Sequence, residues 1–229
     1  AFADLAVVVV DEQHRFGVAQ RARLSAKGGA PNFVAMSATP IPRTLALALY
    51  ADFDLSVIDE LPPGRRPVAT RVLAAGQREA AYRYLREMTE AGSQGFVVCP
   101  LIDASPSVEA EAATDRFEEL RSGPLAGLRL GLVHGRMATP ERQAVMEAFY
   151  RGQLDVVVST TVIEVGLDVP SASVMVVENA ERFGLAQLHQ LRGRVARSRH
   201  RPLCVLLKGS GGEEANKRLE VLARTDDGF

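Results

Sequence analysis

The sequence predicts an α/β protein built on parallel strands, and three observations predict it. Short β-branched runs alternate along the chain with stretches of helical period. Most of those runs are continuously apolar, as strands covered on both faces of a parallel sheet are. The chain has 229 residues, 47% hydrophobic and 24% charged, which is ordinary globular composition and enough to bury a core.

In chain order, the strands expected are Leu5–Val10, Asn32–Met36, Asp54–Ile58, Ala69–Ala74, Gly95–Pro100, Arg129–Val133, Asp155–Ser159, Ser173–Val177 and Pro202–Leu207. Helices are expected at Ile41–Ala51, Gln77–Ala91, Ala110–Arg121, Gly184–Val195 and Glu213–Arg224. Within Gln77–Ala91, Ala81, Tyr84, Leu85 and Met88 share one face. A further helix opens at Pro140, with Thr139 as its cap and Glu141 at its positive end, and runs to Tyr150. Ser105–Ala113, small and acidic, reads as a flexible loop. Leu61-Pro62-Pro63-Gly64-Arg65-Arg66-Pro67 reads as a linker.

Composition excludes several classes. Twelve Pro and nineteen Gly are too few for a collagenous or low-complexity chain. No apolar run reaches the roughly 18–20 residues of a membrane helix, and no basic-then-apolar leader opens the sequence. A cytoplasmic protein is expected. Cys99 and Cys204 lie in apolar runs and read as buried thiols. The net charge of −1 excludes a polyelectrolyte wrapping nucleic acid, although the stretch from Arg182 to Arg201 holds six arginines and no acid.

Five blocks carry chemistry. Val7–Val10 followed by Asp11-Glu12 is a Walker B arrangement, a hydrophobic strand ending in two carboxylates where α/β sheets hold ligands. One carboxylate suits Mg²⁺ and the next an attacking water. Ser37-Ala38-Thr39 ends the next strand. His134-Gly135-Arg136 ends another just before a helix and offers N–H groups to a phosphate. Thr160 and Thr161 present hydroxyls after a strand, with Gly166 and Asp168 beyond. Gln190, Arg194 and Arg197 share a helical face, and two guanidinium forks suit a γ-phosphate. Each block alone has a bland counterpart: an acidic turn, a helix cap, a tight turn, a solvated basic helix. Their joint order does not.

Asp-Glu-x-His after the first strand resembles motif II of superfamily 2 helicases, and the later blocks resemble motifs III, V and VI. Asp11–Val18, Ala38–Leu45, Asp59–Arg65 and Glu178–Leu185 resemble the bacterial RecG family of branch-migration helicases along essentially the whole chain. The transcription-repair coupling factor shares parts of these blocks, but there Glu more often stands in place of Gln13, and Asp-Glu-Leu-Pro-Pro-Gly-Arg is not typical.

The resemblance implies RecA-like parallel sheets with flanking helices, one complete C-terminal lobe and a partial N-terminal lobe. Residues 1–60 would be the second half of the first lobe, 61–68 a linker, 69–208 the second lobe, and 209–229 the start of a helical extension. It implies an ATP-dependent, Mg²⁺-requiring double-stranded DNA translocase that remodels stalled forks and Holliday junctions in repair and recombination. Asp11 would serve Mg²⁺ and Glu12 would activate water. Gln13, His14, Ser37, Thr39 and Gln190 would couple hydrolysis to movement. His134, Gly135, Thr160 and Thr161 would lie on the DNA side, Gly166 and Asp168 would face the nucleotide, and Arg194 and Arg197 would close on the triphosphate. Branched DNA and single-stranded DNA-binding protein are the implied partners.

Two departures stand out. Ala196 occupies a position where the family usually has Gly. No Gly-x-x-x-x-Gly-Lys-Ser/Thr phosphate loop occurs in the 229 residues, and the family's wedge domain is lacking as well. The expectation is therefore a fragment that is inactive alone. Two other readings stay open: a coupling-factor-like translocase, and a non-catalytic DNA-binding helicase remnant.

Overall fold

The computed structural model describes residues 5–11, 31–36, 54, 56, 58, 60, 67–100, 106–160, 169–195 and 200–225. They fall into two compact units that divide between residues 57 and 58. Among the described residues, no helix is long and apolar enough to cross a membrane.

In the first unit, β1 (Val7–Val10) pairs in parallel with β2 (Asn32–Ala35), Val7 beside Asn32 and Val10 beside Ala35. Val8 and Val10 are buried, whereas Val7 and Val9 are exposed. The strand expected at Asp54–Ile58 is not borne out at residues 54, 56 and 58, which are exposed and outside any strand. A β-branched run becomes a strand only where it finds an edge to pair with. The expected helix at Ile41–Ala51 lies outside the described residues.

The second unit is a six-stranded sheet. Its strands are β3 (Ala69–Leu73), β4 (Gln94–Val98), β5 (Leu130–Val133), β6 (Val156–Ser159), β7 (Ala172–Val177) and β8 (Leu203–Leu207). They lie in the order β3-β8-β7-β4-β6-β5, and every neighbouring pair is parallel. The helices are α1 (Arg78–Glu90), α2 (Pro106–Ser122), α3 (Thr139–Tyr150), α4 (Leu185–Gly193) and α5 (Glu213–Arg224).

The continuous apolar runs have the expected cause. All residues of β4, β6 and β7 are buried, and alternate ones serve opposite faces. Val97, Val156, Val158, Val174 and Val176 pack with Ala81, Tyr82 and Leu85 of α1 and Leu120 of α2. Phe96, Val98, Val157, Met175 and Val177 pack with Met146 and Phe149 of α3, Leu188 and Leu191 of α4, and Leu219 and Leu222 of α5. Phe96 and Phe149 meet edge to face, ring centroids 4.9 Å apart. Cys99 and Cys204 are buried free thiols.

Two local expectations need correction. The region read as a loop at Ser105–Ala113 is helical from Pro106 onward. A proline costs nothing in a first turn, and the Ala and Glu residues that looked merely small and acidic are strong helix formers. The cap of α3 is Ala138 rather than Thr139: Ala138 is extended, and its N–H donates to Glu141 Oε2 at 3.0 Å. Glu141 thus satisfies the cap from inside the helix, and no hydroxyl is needed.

At the amino edge, Gln94 Nε2 donates to the carbonyls of Phe149 (2.7 Å) and Leu154 (2.5 Å), and Gln94 Oε1 accepts from Ser171 Oγ. Asp155 joins β5 to β6. Its carboxylate accepts from the Arg129 N–H at 2.7 Å and from the Arg129 guanidinium at 2.5 and 3.1 Å. Hydrogen bonds from the Arg129 side chain lead in holding the Asp155 carboxyl below its ordinary 3.8.

Leu85→Ala empties a fully buried position, and a loss of about 2–5 kcal/mol is expected in urea unfolding. Asp155→Asn is expected to cost roughly 0.5–1.5 kcal/mol at neutral pH. Because the folded pKa is depressed, that stability is present above pH 3.8 and is lost as the pH falls through the folded value. Unfolding midpoints of the two proteins should therefore converge in acid.

Candidate functional site

Ligands of parallel α/β sheets bind at the carboxyl ends of the strands. Asp11 stands immediately after β1, exposed, next to the point where the Met36 N–H donates to the Val10 carbonyl at 2.8 Å. Asp11 is thus at a strand's carboxyl end. Glu12, Gln13, His14, Ser37 and Thr39 lie outside the described residues.

In the second unit, backbone bonds align four strand ends. The Thr160 N–H donates to Val133 O (3.2 Å), the Cys99 N–H to Ser159 O (2.8 Å), and the Glu178 N–H to Val98 O (2.8 Å). His134, Thr160, Cys99 and Glu178 therefore follow one another along a single edge. His134 is half-buried, and its Nδ1 accepts from the Arg136 N–H at 3.3 Å. That leaves Nε2 to carry the proton of the neutral ring. Burial and the Arg136 charge press the imidazole pKa below 6.5, against an opposing pull from Glu141. Gly135 and Arg136 are exposed beside it.

Thr160 is 3% exposed, and among the described residues its Oγ1 has no hydrogen-bond partner. A buried hydroxyl is costly unless it finds a partner. Thr161, Gly166 and Asp168 lie outside the described residues.

Helix α4 opens at Gly184, whose N–H donates to Gln187 Oε1 at 3.0 Å. Its packing residues, Leu188 and Leu191, are buried, and Gln190 is half-buried. The helix ends at Gly193, two residues earlier than expected, yet Arg194 keeps helical backbone angles as the cap. The Arg194 N–H donates to Leu191 O (3.0 Å) and the Val195 N–H to Arg192 O (3.3 Å), a tightened last turn. Gln190 and Arg194 are thus one turn apart, as their spacing predicted. Arg197 lies outside the described residues, as does Ala196. Arg192 does not belong to a solvated row: it is 5% exposed, and its Nη1 donates to the carbonyls of Leu222 (3.1 Å) and Thr225 (2.7 Å). It neutralises the carbonyl end of α5.

Sequence reasoning missed a buried ionic cluster on the same edge. The Glu178 side chain is 6% exposed and accepts from Arg116 Nε (3.0 Å) and Nη2 (2.5 Å), and from the Tyr82 hydroxyl. Arg78 Nε lies 3.8 Å away, and Cys99 Sγ 3.9 Å. Arg116 also stands over the Tyr82 ring, 5.7 Å from its centroid. Burial, then the Glu178 charge, pushes the Cys99 thiol up to about 12, and the same two causes raise the Tyr82 phenol. Burial would weaken the Arg116 base, but its hydrogen bonds to Glu178, the charges of Tyr82 and Glu178 and its hydrogen bond to Glu119 together outweigh that and hold it above its ordinary value. One signal was available: an acid directly after the apolar run Ala172–Val177. The partners, from two separate helices, had none.

Comparison with known proteins agrees with this architecture. The helicase conserved C-terminal domain family matches residues 77–199. Proteins named ATP-dependent DNA helicase RecG are similar along the entire chain. The one from Synechocystis is 50% identical, with 100% of this chain and 27% of the relative covered. The one from Escherichia coli is 52% identical, with 100% and 34% covered. The chain therefore spans about a third of the length of these relatives. A solved structure of RecG bound to a three-way DNA junction superposes with a TM-score of 0.81 at 46% identity, covering 100% of this chain and 29% of that one. The yeast protein Dbp5 bound to RNA shares the fold at a TM-score of 0.63 and 15% identity, covering 96% of this chain and 56% of that one. A parallel sheet with helices on both faces, motif residues at its strand ends and a family match over more than half its length place this chain among proteins with the helicase conserved C-terminal domain.

Proposed function

We propose that this chain is the motif-bearing part of an ATP-driven double-stranded DNA translocase, which remodels stalled replication forks and Holliday junctions during repair and recombination in the cytoplasm. One observation carries the reading: Asp11, His134 and Thr160 directly follow the carboxyl ends of parallel strands, where this fold holds ligands, and Gln190 and Arg194 lie in the last turn and at the cap of helix α4. The likeness to RecG proteins supports it, and branched DNA, with single-stranded DNA-binding protein beside it, is the proposed partner.

The residues fit Mg²⁺ and ATP. Asp11 is an exposed carboxylate at a strand end, suited to a hard cation that keeps water and phosphate oxygens as its other ligands. Half-buried Gln190 and Arg194 present an amide and a guanidinium one helical turn apart, which suits phosphate oxygens. When bound, Mg²⁺·ATP supplies the phosphoryl group whose transfer to water drives movement. In this reading Glu12 orients and deprotonates the water. Arg194 and Arg197 neutralise charge on the phosphates, and Gly166 and Asp168 bind the nucleoside. Gln13, His14, Ser37, Thr39 and Gln190 relay the hydrolytic state. His134, Gly135, Thr160 and Thr161 grip the DNA backbone, His134 as a neutral Nε2–H donor. The 229 residues hold no Gly-x-x-x-x-Gly-Lys-Ser/Thr loop, so hydrolysis needs one from elsewhere, and the chain alone is inactive.

In the full-length protein, DNA-stimulated ATP hydrolysis is expected to fall by about 10³-fold in Arg197→Ala. Unchanged turnover would contradict the phosphate role, and absence of ATP hydrolysis by the unmutated protein would contradict the whole reading. DNA affinity should fall steeply with salt, because it rests on phosphate contacts, and a flat dependence would count against that. At constant salt, affinity should rise as the pH drops below 6.5 and His134 gains its proton. His134→Gln keeps a donor and should abolish that rise; an unaltered pH profile would remove His134 from the interface.

A further inference from the structure

Glu178 sits at the end of β7, and the chain turns directly from it into the segment that delivers α4. Asn179 takes left-handed angles, the only described non-glycine residue to do so (φ 44°), and a 3-10 turn spans Ala180–Arg182. The Arg182 N–H donates to Asn179 O at 3.0 Å and the Phe183 N–H to Ala180 O at 3.2 Å, after which Gly184 caps α4. This turn is pinned at two points. At its start, Glu178 is gripped by Arg116 of α2 and by Tyr82 and Arg78 of α1. In its middle, Glu181 Oε2 accepts from the Gly209 N–H at 2.9 Å, in the loop after β8. The two glycines of that loop lie directly against Glu181, and a side chain at either would force Glu181 to shift. A Cβ at Gly209 would lie 2.5 Å from Glu181 Oε1, and one at Gly211 would lie 2.9 Å from Glu181 Cβ.

We infer that Glu178, held by Arg116 and Tyr82, is a positioning residue for the phosphate-facing end of α4, acting with Glu181 as a two-point mount for Gln190 and Arg194. The inference rests on the ATP-driven function proposed above and deepens it. The physical argument concerns what a buried charge is for. Desolvating a carboxylate and a guanidinium is expensive, and an apolar trio of similar volume would hold α1, α2 and β7 together as well or better. An apolar contact tolerates sliding, whereas a fork of two N–H donors on one carboxylate does not. The charged version fixes where the turn begins to within a hydrogen bond's tolerance. Catalytic guanidinium groups need that tolerance, since small misplacements lose large factors in rate. Glu178 itself touches neither nucleotide nor water in this account.

The test uses the full-length protein with a branched DNA and four variants: Glu178→Gln, Arg116→Lys, Gly211→Ala, and the apolar triple Tyr82→Phe/Arg116→Met/Glu178→Met. The readouts are kcat and KM of ATP hydrolysis, the affinity for a non-hydrolysable ATP analogue, and the thermal unfolding midpoint. The expected result is a split. Turnover falls about 10-fold or more in each variant, while analogue affinity changes less than about twofold. The triple variant recovers the unfolding midpoint of the unmutated protein without recovering its turnover. A triple variant that hydrolyses ATP at the original rate would overturn the inference and leave the cluster as a fold contact alone. So would analogue affinity that falls in step with turnover. If the triple variant does not fold, Gly211→Ala decides the matter, because it displaces Glu181 and disturbs the same turn from the other side while leaving the Glu178 cluster unaltered. Unmutated protein that fails to hydrolyse ATP would sink the ATP-driven reading itself, a result distinct from active protein with indifferent variants.

Discussion

A parallel strand covered on both faces has only its ends to offer a ligand. In the second unit that constraint is nearly complete: β4, β6 and β7 have no exposed residue, because α1 and α2 cover one face and α3, α4 and α5 the other. Chemistry is thereby confined to the sheet's edges, and the carboxyl edge collects it. His134, Thr160, Cys99 and Glu178 are consecutive there because four strands are in register, not because their sequence positions are close. The same rule places Asp11 at the end of β1 in the first unit.

Polar groups line both edges of the sheet. At the amino edge, Gln94 and Asp155 bond backbone carbonyls and an N–H group, while the buried Ser93 Oγ has no partner among the described residues. At the carboxyl edge, Thr160 Oγ1 has no partner among the described residues, His134 keeps a neutral donor nitrogen, and Arg194 follows the last turn of α4 half-buried. A polar group left open at a strand end is a stability cost that a ligand can relieve. Glu178, at the same edge, is engaged by Arg116 and Tyr82 and serves the fold.

What was legible in the sequence follows the range of the forces involved. β4, β6 and β7 announced themselves because burial on both faces removes the polar half of the pattern. The motif blocks were legible because strand ends are local. The helix of α2 was read too short because small, acidic residues signal a loop as readily as a helix start. The cap of α3 shifted by one residue because Glu141 could reach the Ala138 N–H, a choice made by side-chain geometry. Asp54–Ile58 had strand composition, but its described residues 54, 56 and 58 lie outside any strand, because pairing depends on a neighbour that composition does not reveal. Arg192 and Glu178 were illegible for the same reason at longer range: their partners come from α5, α1 and α2.

The central claim is that the carboxyl-edge residues convert ATP hydrolysis into movement along duplex DNA. A triplex-displacement assay tests it most directly, with the full-length protein loaded at a branched end and Glu12→Gln as the comparison. The account predicts ATP-dependent release of the third strand by the unmutated protein, and branched-DNA binding without release by Glu12→Gln. Equal release by both proteins, or DNA binding with no ATP-dependent release by either, would contradict it.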